Sequence, residues 1–571
     1  MTPTPHSRRA FLASTAAASA ALAGCNGLQY RDRYSPGERV SLTVSAPPAD
    51  DDGAATRLAR TLTDRLSAVG VDATFQPKGQ SQLYLDALIN NDFDVFVARH
   101  PGFAHPDTLY SLLHSSFASE PGWQNPFGVT SVALDESLEA MRAAGDPVSE
   151  LPQFLDAYVA RVPFSVVAAP DFLTVRRDGL SVREDAVTEQ PLDVLELLAD
   201  AGGDRPLRAA IFSVEATENR NPIAGEFRWN RQLLGLLYDP LARPGRDGSL
   251  LPWAAREWAF EGDELVVKLR PGQTFHDGTD LTAADVAFTA RFLSDTSMGG
   301  ASSRVPATRY RGRTSLVTGA TATDDETVHF DVASGVSPAT AERVLTLPIL
   351  PAAEWRERTG LVDDRVTQAL VWENRQPVGS GPLRFDGATP EESVSLRPFD
   401  DHFLADVDDG PASRYAPALD GGGLTALYAP SGQAALAALS EGRLDTSLHL
   451  FPLYAFDDAQ RTDGVVPASA SSDALCIVGY NVRRPPLSEY PFRRVLARLH
   501  DRDHAVASVF KGFAAPAELP VAGHWDGVDG LTDDYTVGAF PGSDGELDVE
   551  RARQLFEDAG YTYDEDGNLF R

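Results

Sequence analysis

Three histidines, His100, His105 and His114, stand close together in the chain, beside Arg99. Imidazole is a common metal ligand and suits nickel. Here the spacings are loose and no carboxylate or thiolate pattern joins them, so neither a metal nor any other cofactor is expected. The planar fork of Arg99 suits a carboxylate or phosphate, and equally a surface ion pair. Phe103 lies in the same segment. Trp123, Trp229 and Tyr480 present ring faces that would stack on a ligand or pack in a core. Asn125, Asn219, Asn221 and Asn481 offer amide contacts, although Asn221, before Pro222, also suits a turn. His276-Asp277 looks like a proton-transfer pair, but the turn glycines Gly272 and Gly278 frame it, so neither residue is assigned to catalysis. There is no Gly-x-Ser-x-Gly elbow, no His-Glu-x-x-His and no phosphate loop. The inventory suits binding rather than bond-making, and no catalytic residue is expected.

Composition narrows the partners. With 82 acidic against 50 basic residues, the formal charge is −32. Lys78, Lys268 and Lys511 are the only lysines; the remaining basic residues are arginine. No basic stripe is present, so nucleic acid is not expected as a partner. A surface so acidic and so poor in lysine resembles those of proteins from salt-loving archaea. In molar salt, where the Debye length is about 3 Å, its self-repulsion is screened; in dilute buffer the same charge opposes compaction. The hydrophobic fraction of 43% and a periodicity that persists nearly throughout exclude a disordered chain.

The N-terminus reads as an address. Arg8-Arg9 precede the short apolar stretch Phe11 to Ala23, too short to span a bilayer. A charged start, an apolar core and a small-residue site predict a signal peptide over 1–24, with the arginine pair pointing to the twin-arginine route. Leu22-Ala23-Gly24-Cys25 resembles a lipobox, so Cys25 is the expected lipidation site and 25–37 a tether to the membrane. The remaining cysteine, Cys476, lies in an apolar run and is expected to be a buried free thiol.

These residues must be positioned by an α/β framework. Val40, Leu42 and Val44 alternate as a strand; Leu58, Leu62, Leu66 and Val69 follow at helical spacing, closed by Gly70. Val71 to Phe75 alternates again, Gln82 to Ile89 is amphipathic, and Phe93 to Val97 is apolar, which gives β-α-β-α-β and a parallel sheet. Helices are predicted over 134–144, 151–162 and 192–198, and a new strand over 207–212. Thr282 and Asp548 are placed to cap the helices 283–293 and 548–559.

Longer motifs carry a resemblance. Asn221-Pro222, Tyr238-Asp239-Pro240-Leu241, Asp247 to Trp258 and above all Leu269-Arg270-Pro271-Gly272 through Asp285-Val286 are similar to the solute-binding family 5 of peptide- and nickel-binding type. Gly379-Ser380-Gly381-Pro382 resembles its Gly-Thr-Gly-Pro turn, and Leu439 to Asp445 its Leu-x-x-Gly-x-x-Asp helix end. Asn481, Pro485-Pro486, Phe492 to Asp503 and residues 548–567 continue the pattern. The family's closing segments then find their likeness at the front, in Leu66 to Ala73, Asn91 to Asp94, Asn125-Pro126 and Phe164 to Gly179. Template matching covers about nine-tenths of the chain beyond Cys25. This order implies a circular permutation, with 181–206 as the linker between the old ends, a rearrangement tolerated when termini lie close together.

The resemblance implies an α/β, two-lobed periplasmic-binding-protein-like fold (class II, enlarged type), circularly permuted. Lobe II is expected over 38–165 and 471–571, and lobe I over 166–470. The implied function is that of the substrate-binding lipoprotein of an ABC importer, capturing a small molecule or peptide between two lobes. Its partners would be permease subunits and, through Cys25, the outer face of the cell membrane; the protein would be a monomer. The resemblance implies that peptide binders of the family hold the ligand amine with an aspartate whose place here is taken by Gly102, so that amine anchor is missing. A ligand-sensing surface receptor and an exported hydrolase are the competing readings.

Overall fold

The computed structural model describes residues 37–100, 102–183, 186–224, 231–245, 248–523, 525–528 and 530–571. The expected leader, Cys25 and Trp229 lie outside the described residues. The framework is a twelve-stranded mixed sheet: β1 (Ser41–Ala46), β2 (Asp72–Pro77), β3 (Val95–His100), β4 (Phe164–Arg177), β5 (Leu207–Ile211), β6 (Leu383–Thr389), β7 (Ser393–Pro398), β8 (Leu424–Tyr428), β9 (Thr446–Ser447), β10 (Val465–Ser471), β11 (Leu475–Tyr480) and β12 (Ala514–Pro516). Its order is β6-β7-β8-β5-β9-β4-β11-β3-β1-β2, with β10 and β12 also paired to β4.

Strand β4 is shared by two halves. Its first half pairs with β11 and β12, its second half with β10 and β9. Separate apolar cores flank the two ends of the sheet. Val44, Leu62, Val97, Val478 and Phe556 pack in one half, together with Phe96, Leu112, Trp123 and Phe164 on the opposite face. Leu195, Ile211, Trp253, Phe288 and Leu424 pack in the other, with Val175, Leu439 and Phe456 on its second face. Two lobes therefore stand on one sheet, joined where β4 passes its midpoint and where β10 gives way to β11. A separate four-stranded antiparallel sheet, in which Glu264–Leu269 is an inner strand, enlarges the second lobe.

Local chemistry explains most element ends. The helix Ala49–Ala68 effectively starts at Asp52, which has non-helical dihedrals and accepts the N–H groups of Ala54 and Ala55 on its carboxylate (3.1 and 3.0 Å). At Thr282 the N–H and hydroxyl both donate to Asp285 (3.0 Å each), which fixes the start of Ala283–Ser294. The carboxylate of Asp548 accepts the N–H of Arg551 at 3.0 Å. One expectation is corrected. The amphipathic stretch 82–89 is not a single α-helix but the helical turn Gln80–Tyr84 followed by a wider π-turn, Leu85–Ile89. The wider turn lets Leu83 and Leu88, five residues apart, reach the same core.

Candidate functional site

The register of the sheet fixes where a ligand crevice lies. Strands β3 and β4 are both antiparallel to β11; His100 faces Leu475 while Ala168 faces the next residue, Cys476. The carboxyl end of β3 therefore lies beside the midpoint of β4. From the other side β5 runs parallel to β9, which opposes β4 through Thr446 and Arg176, so β5 heads toward the same midpoint. Loops at the carboxyl ends of parallel strands form the ligand crevice in open α/β sheets. Here those loops are 102–107 from one lobe and 212–221 from the other.

A polar cluster ties the lobes together at this point. The backbone N–H of Phe103 donates to the carbonyl of Asp473 (2.7 Å), and Gln190 Nε2 donates to its carboxylate (2.9 Å). Arg231 Nη2 donates to Glu189 Oε1 (2.7 Å), while its Nη1 stands 3.9 Å from Asp473 Oδ2. A Cβ on Gly102 would lie 3.9 Å from both Arg231 Nη1 and the Cβ of Asp473. Burial pushes the Glu189 carboxyl up to about 7 despite Arg231. Near the carboxyl end of β1, burial raises Asp51, aided by the charges of Asp50, Asp52 and, from the other lobe, Glu215.

The expected site residues separate into two groups. Arg99 and His100 end β3 at the crevice: Arg99 Nε stands 4.0 Å from Asp52, and the His100 ring packs on Phe103 and Trp123 with centroids 4.4 and 4.7 Å apart. His105 Nδ1 accepts the N–H of Asp107 (3.0 Å); burial, with the Arg343 guanidinium, pushes its imidazole down to about 2, so it is neutral. Phe103 and Trp123 are buried core side chains, and the hydroxyl of buried Tyr480 is paired with Ser165 (2.6 Å). The amides of Asn125 and Asn481 are spent on backbone. Asn125 donates to the carbonyls of Leu113, His114 and Val129 and accepts from Gly128 and Val129. Asn481 donates to the carbonyls of Asn91 and Phe93 and accepts from Arg483. Asn221 likewise donates to the carbonyls of Ala369 and Trp372, and Asn219 accepts from Asn221 and Asn374. For Phe103, Trp123, Tyr480 and these asparagines, the geometry assigns packing and loop closure.

The family described as bacterial extracellular solute-binding proteins, family 5 Middle, matches residues 249–570. The chain belongs to this family. The family's description is that of solute-binding proteins, not of enzymes. Among relatives, the glutathione-binding protein GsiB of Pectobacterium atrosepticum is 24% identical over 322 residues, 55% of this chain and 54% of its own length. The oligopeptide-binding protein AppA of Bacillus subtilis is 24% identical over 313 residues, 53% of this chain and 51% of its own. The chain thus spans about half the length of the curated relatives it matches. Among solved structures, Bacillus subtilis AppA in complex with a nonapeptide gives a TM-score of 0.43 at 18% identity, covering 64% of this chain and 68% of that one. NikZ from Campylobacter jejuni with Ni(L-His) gives 0.43 at 17%, covering 64% and 65%.

The family 5 motifs have structural explanations in this chain. His276 spends both ring nitrogens on the Gly379–Gly381 turn: Nε2 pairs with the Gly381 carbonyl (2.9 Å) and Nδ1 accepts the Gly379 N–H (3.3 Å). Burial pushes its imidazole down to about 4. Only glycine fits at 379 and 381, where a Cβ would meet the carbonyls of Leu237 and Leu236 at 1.9 and 2.2 Å. Asp277 closes the neighbouring turn by accepting from Thr279. Asp445, which ends the Leu-x-x-Gly-x-x-Asp motif, is buried and accepts a two-bond fork from Arg205 (2.8 Å each) and three bonds from Arg208. Burial alone would raise its pKa, but the hydrogen bonds from Arg205 and Arg208 outweigh it and hold the carboxyl well below the usual range.

Glu189, Gln190, Arg231 and Asp473 were not legible as site residues. Glu189-Gln190 stands in the stretch read as a linker, and Asp473 in a turn between strands. One signal was local: Gln190 precedes Pro191, and Asp193 takes its N–H at 2.8 Å, so a helix cap fixes Glu189 beside the crevice. Among the described residues no group of three or more His, Cys, Asp or Glu side chains is placed to hold a metal, and no helix is long and apolar enough to cross a membrane.

Proposed function

We propose that this family 5 chain captures a peptide or peptide-like solute in the crevice at the midpoint of β4 and passes it to the permease of an ABC importer. The observation that carries the reading is the convergence of β3 and β5 from opposite lobes on one strand, in a chain whose residues 249–570 match a solute-binding family. Lobes joined at one strand and one turn can close on a ligand, and the ligand then shifts the open–closed equilibrium by its differential affinity. The names of the relatives, glutathione- and oligopeptide-binding, favour a peptide-like ligand. Arg99, His100, His105 and Arg231 line the crevice as its polar contacts. The carboxylate that Gly102 cannot supply to a ligand amine comes from Asp473, next to it in space.

In this reading the protein is a monomer held at the outer face of the membrane by a lipid on Cys25, after export by the twin-arginine route, and it works in high salt. The lobes are lobe II over 38–165 and 471–571 and lobe I over 166–470, a circular permutation joined through 181–206. The pairing of Gly37–Val40 with Leu569–Arg571 supports adjacent old neighbours. Mass spectrometry of solutes released by acid from protein purified in molar KCl tests the function. An intact peptide or peptide-like solute is expected; recovery only of its cleavage products would overturn the binding reading. A Cys25→Ala variant should leave the membrane fraction, and continued tight attachment would overturn the lipid anchor.

A further inference from the structure

Away from the two crossing segments, a second set of contacts joins the lobes. Glu120 belongs to the lobe whose core includes Phe117 and Trp123, whereas Arg311 belongs to the lobe whose core includes Ala307 and Tyr310. Arg311 nevertheless grips the Glu120 carboxylate with two parallel bonds, Nε to Oε2 (2.8 Å) and Nη2 to Oε1 (3.0 Å), and its guanidinium lies over the Phe117 ring. This fork geometry is the strongest and most directional form of ion pair. Beside it, Gln124 Nε2 donates to the Thr308 carbonyl (2.8 Å). Arg142, held by a two-bond pair to Asp107 and stacked on Tyr110, reaches Ser315 Oγ (3.1 Å), and its carbonyl accepts the Ser337 N–H (2.9 Å).

The surfaces between these bonds touch closely. A Cβ on Gly312 would lie 2.9 Å from Ser111 Oγ, and one on Gly122 2.9 Å from the Cβ of Thr308. Each lobe thus offers a glycine where the other approaches. Apart from Asp107, which holds Arg142, none of these residues belongs to the crevice loops at the midpoint of β4.

We infer that Glu120–Arg311, with Gln124–Thr308 and Arg142–Ser315/Ser337, forms a clamp that exists only while the lobes are closed. Clamp residues act as positioning residues: they stabilise the closed form whether or not a solute is bound. Apparent affinity scales with the population of the binding-competent form, so the clamp tunes solute affinity without touching the solute. This consequence rests on the solute-capture reading; the clamp itself does not.

The test uses the full chain without added solute, in molar KCl. Small-angle X-ray scattering gives the radius of gyration, and hydrogen exchange follows the Ser337 amide. R311E should enlarge the radius and speed exchange at Ser337 by about tenfold, and the charge swap E120R/R311E should restore both. G312A, which adds one methyl between the lobes within a helical turn, should open the protein with no change in the pairing charges. If R311E and G312A leave the radius and the exchange rate unchanged, there is no clamp. If R311E lowers the unfolding temperature and the swap restores neither stability nor radius, the pair is structural and the proposal fails. Opening on mutation, combined with no peptide from a mixed peptide library bound by the wild type, would uphold the clamp and refute peptide capture.

Discussion

The backbone N–H of Gly37 donates to the carbonyl of Arg571 over 2.9 Å. The pairing continues as an antiparallel bridge between Arg39 and Phe570 and a bond from Val40 N–H to the Leu569 carbonyl. Residues 37–40 lead directly into β1, so residues 569–571 lie beside the start of the sheet. If the order of segments is a permutation, the chain can be rejoined here and opened elsewhere. A variant that links Arg571 to Glu38 by a short glycine-rich segment and opens between 181 and 206 should unfold cooperatively, within a few degrees of the parent. Loss of cooperative unfolding, followed by circular dichroism, would contradict this.

Asp445 carries the prediction for acid stability. Its side chain is fully buried among Arg205, Arg208 and Arg177. Asp445→Asn leaves guanidinium groups unpaired and should cost roughly 3 kcal/mol. The carboxyl is depressed in the folded state, so its contribution is present above the ordinary carboxylate range and is lost as pH falls below it. The stability gap between wild type and D445N should therefore be full at pH 7 and shrink toward pH 3, as measured by denaturant unfolding.

Glu189 predicts the opposite slope. Its folded pKa is raised to about 7, so the stability it contributes is present below the ordinary glutamate range, near pH 4.5, and is lost as pH rises through about 7. Glu189→Gln keeps an acceptor for Arg231 and carries no charge to desolvate. The unfolding temperature of E189Q relative to wild type should rise between pH 5 and pH 8; a flat difference would show that Arg231 fully compensates the buried carboxylate.

Asn125 separates a fold role from a ligand role. It adopts a left-handed conformation (φ 39°) and makes five backbone hydrogen bonds while fully buried. Asn125→Ala strands several of those groups and should destabilise by roughly 3 kcal/mol. Solute affinity of the folded fraction should be unchanged. A loss of affinity with no loss of stability would return Asn125 to the binding site.

The formal charge of −32 gives a solvent prediction. Charge repulsion that opposes compaction is screened within about 3 Å at molar salt. The unfolding temperature should climb steadily from 0.1 to 2 M KCl. Insensitivity to salt would show that the surface carboxylates are spaced too widely to matter.

Much of the fold was legible because its determinants are local. Thr282 and Asp548 start helices through bonds to residues three positions on, Gly70 and Gly560 turn the chain at positive φ, and alternating side chains mark β1 and Glu264–Leu269. The family motifs were legible too, since turns such as Gly379–Gly381 admit only certain side chains. The composition by itself set the acidic, arginine-rich surface. Tertiary structure alone decided how polar groups were used. A free asparagine amide and one spent on backbone look identical in sequence; Asn125 and Asn481 are spent on carbonyls, in the case of Asn481 nearly 400 residues distant. Glu189, Arg231 and Asp473 meet only because the starts of two helices and the turn between β10 and β11 arrive at one point. Glu120 and Arg311 stand 191 residues apart in the chain and meet only where the two lobes face each other. Such contacts depend on where distant segments arrive, and local periodicity does not encode that.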